Sequence, residues 1–301
     1  MSRVVVTGGA GRLGRSVVAV LSEAGHEVHS IDRGTAPDLP AHQTVHDLGD
    51  VDSTARLLAG VAPDAVVHLA AIAVPGSAPD SRIFAVNTAL AFSVLEGARL
   101  AGADRCLVAS SPTVVGYGAA GWTPTALPID ESHPLAPWNG YALSKQSIES
   151  LVAMTARRHG DAFRVGAFRP CFVVAPEEWA GAPTQQGHTV RQRLEDPALA
   201  AVALFNYVDA RDAGAFVDAW LAGAARVPNG SVFFTGADDA LATRPLAELL
   251  PEHVPATAAL AGALSGTAPA FSSARARDLL GWRPRRSWRT ELKPTEEPSG
   301  A

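Results

Sequence analysis

Lysine is nearly missing from this chain: Lys145 and Lys293 are the only two in 301 residues, so almost all basic charge is arginine. Acidic residues outnumber basic ones, and the formal net charge is −5. That balance lacks the electrostatic footprint of a nucleic-acid binder. Only two cysteines occur, Cys106 and Cys171, both in apolar, strand-like surroundings. They read as small buried hydrophobes rather than a disulfide framework, which points to a cytoplasmic setting. No uninterrupted apolar run approaches the ~20 residues of a membrane span, so no membrane partner is expected. Met-Ser-Arg runs directly into Val-Val-Val-Thr-Gly, without the charged and apolar regions of an export signal. His42 and His46 lie four apart, but the intervening Gln43-Thr44-Val45 reads as an approach to a strand. No His-Glu-x-x-His or Cys-x-x-Cys motif exists, so no metal is expected. Internal repeats are also missing.

What is present is an alternation. Arg3–Thr7, Glu27–Asp32, residues 65–70, 105–110 and 165–169 are short, β-branched, apolar runs that read as buried strands, with residues 44–47 a further short one. Residues 14–24, 51–60, 81–101 and 141–159 have helical periodicity. Such alternation predicts a parallel sheet covered on both faces, and right-handed crossovers make it a doubly wound α/β sheet of the Rossmann type. After Arg169-Pro170 the pattern loosens. Residues 175–187 read as a mobile loop, followed by a helix at 189–195, a strand at 203–208, a helix at 210–225, a strand at 231–235 and a small helical region to about Leu280. The expected organisation is therefore a cofactor-binding domain over 1–170 carrying the catalytic residues. A smaller α/β substrate-binding region, interleaved with the main sheet, follows over 171–293, with a frayed tail at 294–301.

Gly8-x-x-Gly11-x-x-Gly14 directly follows the first strand and opens the first helix. Small residues let the backbone turn tightly and approach a pyrophosphate, which the free N–H groups of a helix N-terminus favour. A tight turn alone could explain the glycines, but the strand before and helix after are the context that a dinucleotide site requires. Asp32 ends the second strand, 18 residues past Gly14. A carboxylate there accepts hydrogen bonds from ribose hydroxyls and repels a 2′-phosphate, so NAD is expected rather than NADP, although Arg12 and Arg33 lie near enough to soften that preference.

Tyr141 and Lys145 are spaced i, i+4 at the start of a helix and so share a face. A free phenol with a pKa of ~10 is a poor base at neutral pH, and a nearby ammonium lowers it by ~1–3 units. The pair could equally be a surface Tyr and Lys. Its place after the fifth strand, at the carboxyl edge where such sheets bind ligands, gives it chemical weight. Ser110-Ser111 ends that strand, where a hydroxyl can hold a substrate oxygen beside Tyr141 or simply cap a turn.

These features, with Asp47-Leu48, His68-Leu69-Ala70-Ala71, Val86-Asn87, Arg169-Pro170, Tyr207-Val208-Asp209 and Leu280-Gly281-Trp282-x-Pro284, occur in one order along nearly the whole chain. In this the chain resembles an extended short-chain dehydrogenase/reductase of the NAD-dependent epimerase/dehydratase family. The resemblance implies that Gly8, Gly11, Arg12 and Leu13 contact the cofactor, that Asp47 and Leu48 flank the adenine, and that the Ala70-Ala71 backbone passes the cofactor. It implies that Asn87 supports the active site and, with Tyr141 and Lys145, contacts the cofactor, that Ser111 rather than Ser110 is the catalytic serine, and that Thr113 lines the substrate pocket. A homodimer through the long helices is implied as well.

The departures from the family pattern carry information. Sugar dehydratases of this type have Asp-Glu just after the catalytic hydroxyl residue; here Pro112 and Thr113 stand there, which argues against dehydration. Cys171 and Phe172 occupy the stretch where nucleotide-sugar epimerases commonly carry an Asn, and Val115 replaces a usual Tyr, with Tyr117 shortly after. The leading expectation is an oxidoreductase acting on a secondary hydroxyl or ketone of a sugar or sugar-like substrate, with Ser111, Tyr141 and Lys145 as its catalytic set. The alternative is a nucleotide-sugar epimerase with tightly bound NAD, in which Arg191, Arg193 and Arg211 would bind phosphate unless they are ordinary surface arginines. A non-catalytic cofactor sensor is the third reading, and it would have no need of a complete Ser–Tyr–Lys set.

Overall fold

Val4, Val5 and Val6 of β1 (Arg3–Thr7) are all fully buried, as a strand must be when both faces of its sheet are covered. A computed structural model describes residues 1–292 of the chain; Lys293 and the expected tail at 294–301 lie outside the described residues. Around β1 assemble β2 (Glu27–Asp32), β3 (His42–Val45), β4 (Ala65–His68), β5 (Arg105–Ala109) and β6 (Arg164–Pro170). Two residues of β7 (Val173–Val174) pair with β8 (Val208–Asp209) in a separate ladder, and β9 (Val232–Thr235) returns to the main sheet. The main sheet is parallel throughout, in the order β3-β2-β1-β4-β5-β6-β9. Strand order reverses between β1 and β4, which opens a crevice at their carboxyl ends.

Alternate residues of the strands feed two cores. Val4 and Val6 face a layer containing Val17, Phe216 and Trp220, whereas Val5 and Val66 face Val94, Ile148 and Val152. The first layer is α1 (Arg12–Glu23) packed on α8 (Ala210–Gly223); the second is α2 (Val51–Val61), α3 (Asp80–Leu100) and α4 (Gly140–His159) side by side. By length and composition α3 is apolar enough to cross a bilayer, yet it lies between α2 and α4 with Ile83, Ala91, Val94 and Leu95 buried. Cys106 and Cys171 are buried and unpaired, and burial raises both thiols above their ordinary range.

Beyond Pro170 come α5 (Pro176–Trp179), α6 (Val190–Glu195), α7 (Pro197–Ala201), α9 (Leu246–His253), α10 (Ala274–Leu280) and α11 (Trp288–Glu291). Three expectations need correction here. The stretch 175–187 is not a loose loop throughout: Glu178 and Trp179 are buried, Glu178 accepts from the Ala175 N–H at 2.9 Å, and Trp179 donates to Asp209 at 2.7 Å. The strand expected at 203–208 is confined to its end, because Leu204 and Phe205 adopt left-handed φ of 51° and 58°, and the segment turns. The short strand expected at 44–47 is shifted back to His42–Val45 by its register with β2.

Candidate active site

Gly8 takes a φ of +75°, and a Cβ there would meet the Ala70 nitrogen at 2.7 Å; a Cβ on Gly14 would meet the Gly8 carbonyl oxygen at 2.0 Å. The loop thus folds only with glycine at both positions, bringing it down against β4 and closing α1 onto it. α2 and α4 begin with side-chain caps, Asp50 accepting from Ser53 at 2.6 Å and Asn139 from Ala142 at 2.8 Å. The N-cap of α1 is Gly11, which offers none, and the first turn carries no acid. Its first backbone N–H groups therefore lack intrahelical or side-chain acceptors, which suits a diphosphate. At the end of β2, Asp32 accepts from the Ala10 N–H at 3.1 Å and the Arg33 N–H at 2.7 Å, fixing a half-buried carboxylate beside this loop. The donor set and the crevice fit a dinucleotide.

These groups open onto one cavity of about 1220 Å³, more than the roughly 300–1,000 Å³ of an ordinary single-ligand pocket. Of the residues singled out from sequence, Gly8, Gly11, Arg12, Leu13, Asp32, Asp47, Leu48, Ala70, Ala71, Ser111, Thr113, Tyr141 and Lys145 all line it. Tyr141, Lys145 and Ser111 come from α4 and the end of β5 and are all at least nine-tenths buried. Lys145 donates to the Ala109 carbonyl at 2.9 Å, and its ammonium stands 5.7 Å from the Tyr141 ring centre. Ser111 Oγ accepts from Thr113 Oγ1 at 3.0 Å and from the Thr113 N–H at 3.3 Å. With its acceptor sites engaged, the Ser111 hydroxyl has its own proton to donate.

The electrostatics differ from the sequence expectation. Burial raises the Tyr141 phenol above its ordinary value, opposed by hydrogen bonding with Ser111; the ammonium does not reverse it in the protein alone. Burial brings Lys145 down to about 8, opposed by the charge of Glu149. Beneath them, His68 is driven down to about 3 by burial and then by Lys145, so it is neutral, bonded to Thr7 at 2.7 Å.

Four residues stand elsewhere than expected. Asn87 does not line the cavity: its amide bonds the Ile72 backbone at 2.8 and 3.2 Å and Ser144 at 3.1 Å, so it braces the segment that does. Arg193 is 1% exposed, stacked at 4.2 Å on Phe172 and bonded to Gln186 at 2.5 Å; it lies behind the wall rather than in it. Arg211 pairs with Asp209 and Glu291, both at 2.6 Å, and Arg191 is not among the lining residues. Arg12 lines the cavity, but its guanidinium pairs with Glu178 and bonds Val173 and Gln185, leaving its backbone N–H for a diphosphate.

Sequence reasoning missed Glu149. One turn after Lys145, it is buried, accepts from Ser110 at 2.6 Å and takes Arg169 bidentately at 2.8 Å on each oxygen. Its i+4 spacing from Lys145 was the available signal. Missed too was a grouping at the sheet edge: Glu27, His29 and His42, whose ligand atoms lie within 4.8 Å of one another, with Glu27 also paired to Arg3. His46, four residues on from His42, takes no part in this grouping and lines the cavity.

Comparison with known proteins agrees with this geometry. Residues 4–229 match the NAD dependent epimerase/dehydratase family. A UDP-glucose 4-epimerase of Streptomyces lividans is 32% identical over 52% of this chain and 49% of its own length; a uronate dehydrogenase of Pseudomonas syringae is 32% identical over 53% and 56%. The chain thus spans about half the length of the curated relatives it matches. Among solved structures, a short-chain dehydrogenase/reductase superfamily protein from Agrobacterium tumefaciens with bound NAD is 26% identical, covers 96% of this chain and 94% of its own, and has a TM-score of 0.71. With three quarters of the chain inside the family's pattern, the chain belongs to the NAD-dependent epimerase/dehydratase family, whose cofactor is NAD.

Proposed function

We propose that the protein is an NAD-dependent oxidoreductase that interconverts a secondary hydroxyl and a ketone. The observation that carries this reading is the buried convergence of Ser111, Tyr141 and Lys145 in the wall of the crevice. When bound, NAD supplies the hydride acceptor. Ser111, its acceptor sites filled by Thr113, donates a hydrogen bond to the substrate oxygen. Tyr141, as phenolate, takes the hydroxyl proton while the carbinol C–H electrons leave as hydride and the C=O bond forms. Lys145, held by the Ala109 carbonyl, keeps a positive charge beside the phenolate. Because burial alone raises the phenol, the base form of Tyr141 requires the further positive charge of the oxidised cofactor.

The relatives' named activities include nucleotide-sugar epimerisation and uronate oxidation, which makes epimerisation of a nucleotide-sugar with retained NAD the second reading. Against the second stands the placement of Arg193 and Arg211, neither of which reaches the cavity. A homodimer through α3 and α4, which expose Phe92, Leu143 and Met154, accompanies this proposal. Tyr141→Phe is expected to bind NAD near normally while turnover falls by about 10²- to 10⁴-fold. Unchanged turnover, measured by NADH absorbance, would remove Tyr141 from the mechanism; product formation with no net NADH would favour epimerisation.

A further inference from the structure

Past the reacting groups, the cavity continues between the segment after β4, the approach to α4 and the chain beyond β6. Most of its polar side chains there are already engaged within the protein, the amide nitrogen of Gln186 excepted. Gln185 accepts from Arg12 at 2.9 Å, Gln186 from Arg193 at 2.5 Å, and Asn139 caps α4. Thr113 donates to Ser111, and the Trp138 indole N–H donates to the Tyr117 carbonyl at 3.2 Å.

What is left uncovered is hydrocarbon. Trp138 is 55% exposed, Val202 58% and Val74 37%, and all three line the cavity, with Phe172 at its wall. Arg82, exposed on the first turns of α3, is the cation lining this part that no ion pair holds among the described residues. Arg12 is paired with Glu178. A dianionic diphosphate would be desolvated here with a single arginine in reach, and a polyol would lose water for few free partners.

We infer that the substrate, beyond its reacting carbinol, carries an uncharged apolar body of ring or chain hydrocarbon that covers Trp138, Val74 and Val202. This rests on the oxidoreductase reading and names the substrate class of the same site. Each methylene buried against such a wall is worth about fourfold in affinity, so size should be felt directly.

The test uses full-length, NAD-loaded protein with cyclohexanol, decahydro-2-naphthol, myo-inositol and UDP-glucose. kcat/KM is expected to rise tenfold or more from cyclohexanol to decahydro-2-naphthol, to exceed that for myo-inositol and UDP-glucose, and to lose most of that rise in Trp138→Ala and Val202→Ser. Turnover of myo-inositol or UDP-glucose above both carbocyclic alcohols would overturn the inference and leave the oxidoreductase reading standing. Calorimetric binding of 2-decalone against an inosose separates the two ideas. Tighter decalone binding with no hydride transfer to any substrate supports the apolar wall and sinks the oxidoreductase reading. Equal or weaker decalone binding overturns the apolar wall.

Discussion

Removing one charge from the buried face of α4 should be among the most damaging conservative substitutions in this protein. Glu149 and Arg169 are 7% and 3% exposed and share two hydrogen bonds of 2.8 Å. The cation also stacks 4.8 Å from the centre of the Phe234 ring, and its Nη1 has no hydrogen-bond partner. Glu149→Gln keeps the volume and one acceptor but leaves a desolvated guanidinium facing an amide. Breaking a buried pair in this way costs about 3–5 kcal/mol, against a total stability of roughly 5–15 kcal/mol. At about 2 °C per kcal/mol for a chain of this size, the midpoint should fall by about 6–10 °C. Ser110→Ala, which removes only the 2.6 Å hydrogen bond to the same carboxylate, should cost about 1.5–3 kcal/mol.

The paired replacement Glu149→Leu with Arg169→Met removes both charges and should recover most of the loss, because hydrophobic groups of similar volume substitute well for a buried ion pair. Urea unfolding of the unaltered protein and these three variants, followed by circular dichroism, measures each loss. A loss under 1 kcal/mol for Glu149→Gln would refute the argument. So would a double variant less stable than the single one, since the cost would then lie in packing rather than in an orphaned charge.

How far this site could be read from sequence depends on the range of the interaction concerned. β1, α1 and β2 follow from local pattern, because Val4–Val6 and the Gly8–Gly14 spacing answer to sterics within a few residues. Tyr141 and Lys145 were legible for the same reason: one helical turn joins them. Arg12 was not, since its partner Glu178 is 166 positions away and comes from a stretch whose proline and glycine suggested a loose loop. Arg193 carried no signal that it would turn inward onto Phe172. The Leu204–Phe205 turn reads as strand because its side chains are apolar, but they serve a core built with α9 through a left-handed backbone that composition does not encode. Glu149 is intermediate: its spacing is local, but Arg169 on β6 determines what it does.

Asp32→Ala should weaken NAD by about ten- to hundredfold, the loss of charge-assisted hydrogen bonds to a ribose, and let NADP compete beside Arg33. Fluorescence titration with both cofactors checks this, and tighter NADP binding by the unaltered protein would contradict the role given to Asp32. The last prediction concerns pH. Burial holds Lys145 at about 8 in the folded protein, against an ordinary 10.5, so between those values the unfolded chain binds a proton that the folded chain has released. Stability contributed by this residue must therefore rise with pH across that window, by up to about 3 kcal/mol, and be flat below pH 8 where both states are charged. Lys145→Met lacks the titration but shares every other group. The difference between the two proteins' unfolding free energies, measured in urea from pH 7 to 10.5, should tilt towards the unaltered protein above pH 8. A constant offset across that range would mean that Lys145 keeps its ordinary proton affinity and that its enclosure by α4 and β5 is looser than its hydrogen bond to Ala109 implies.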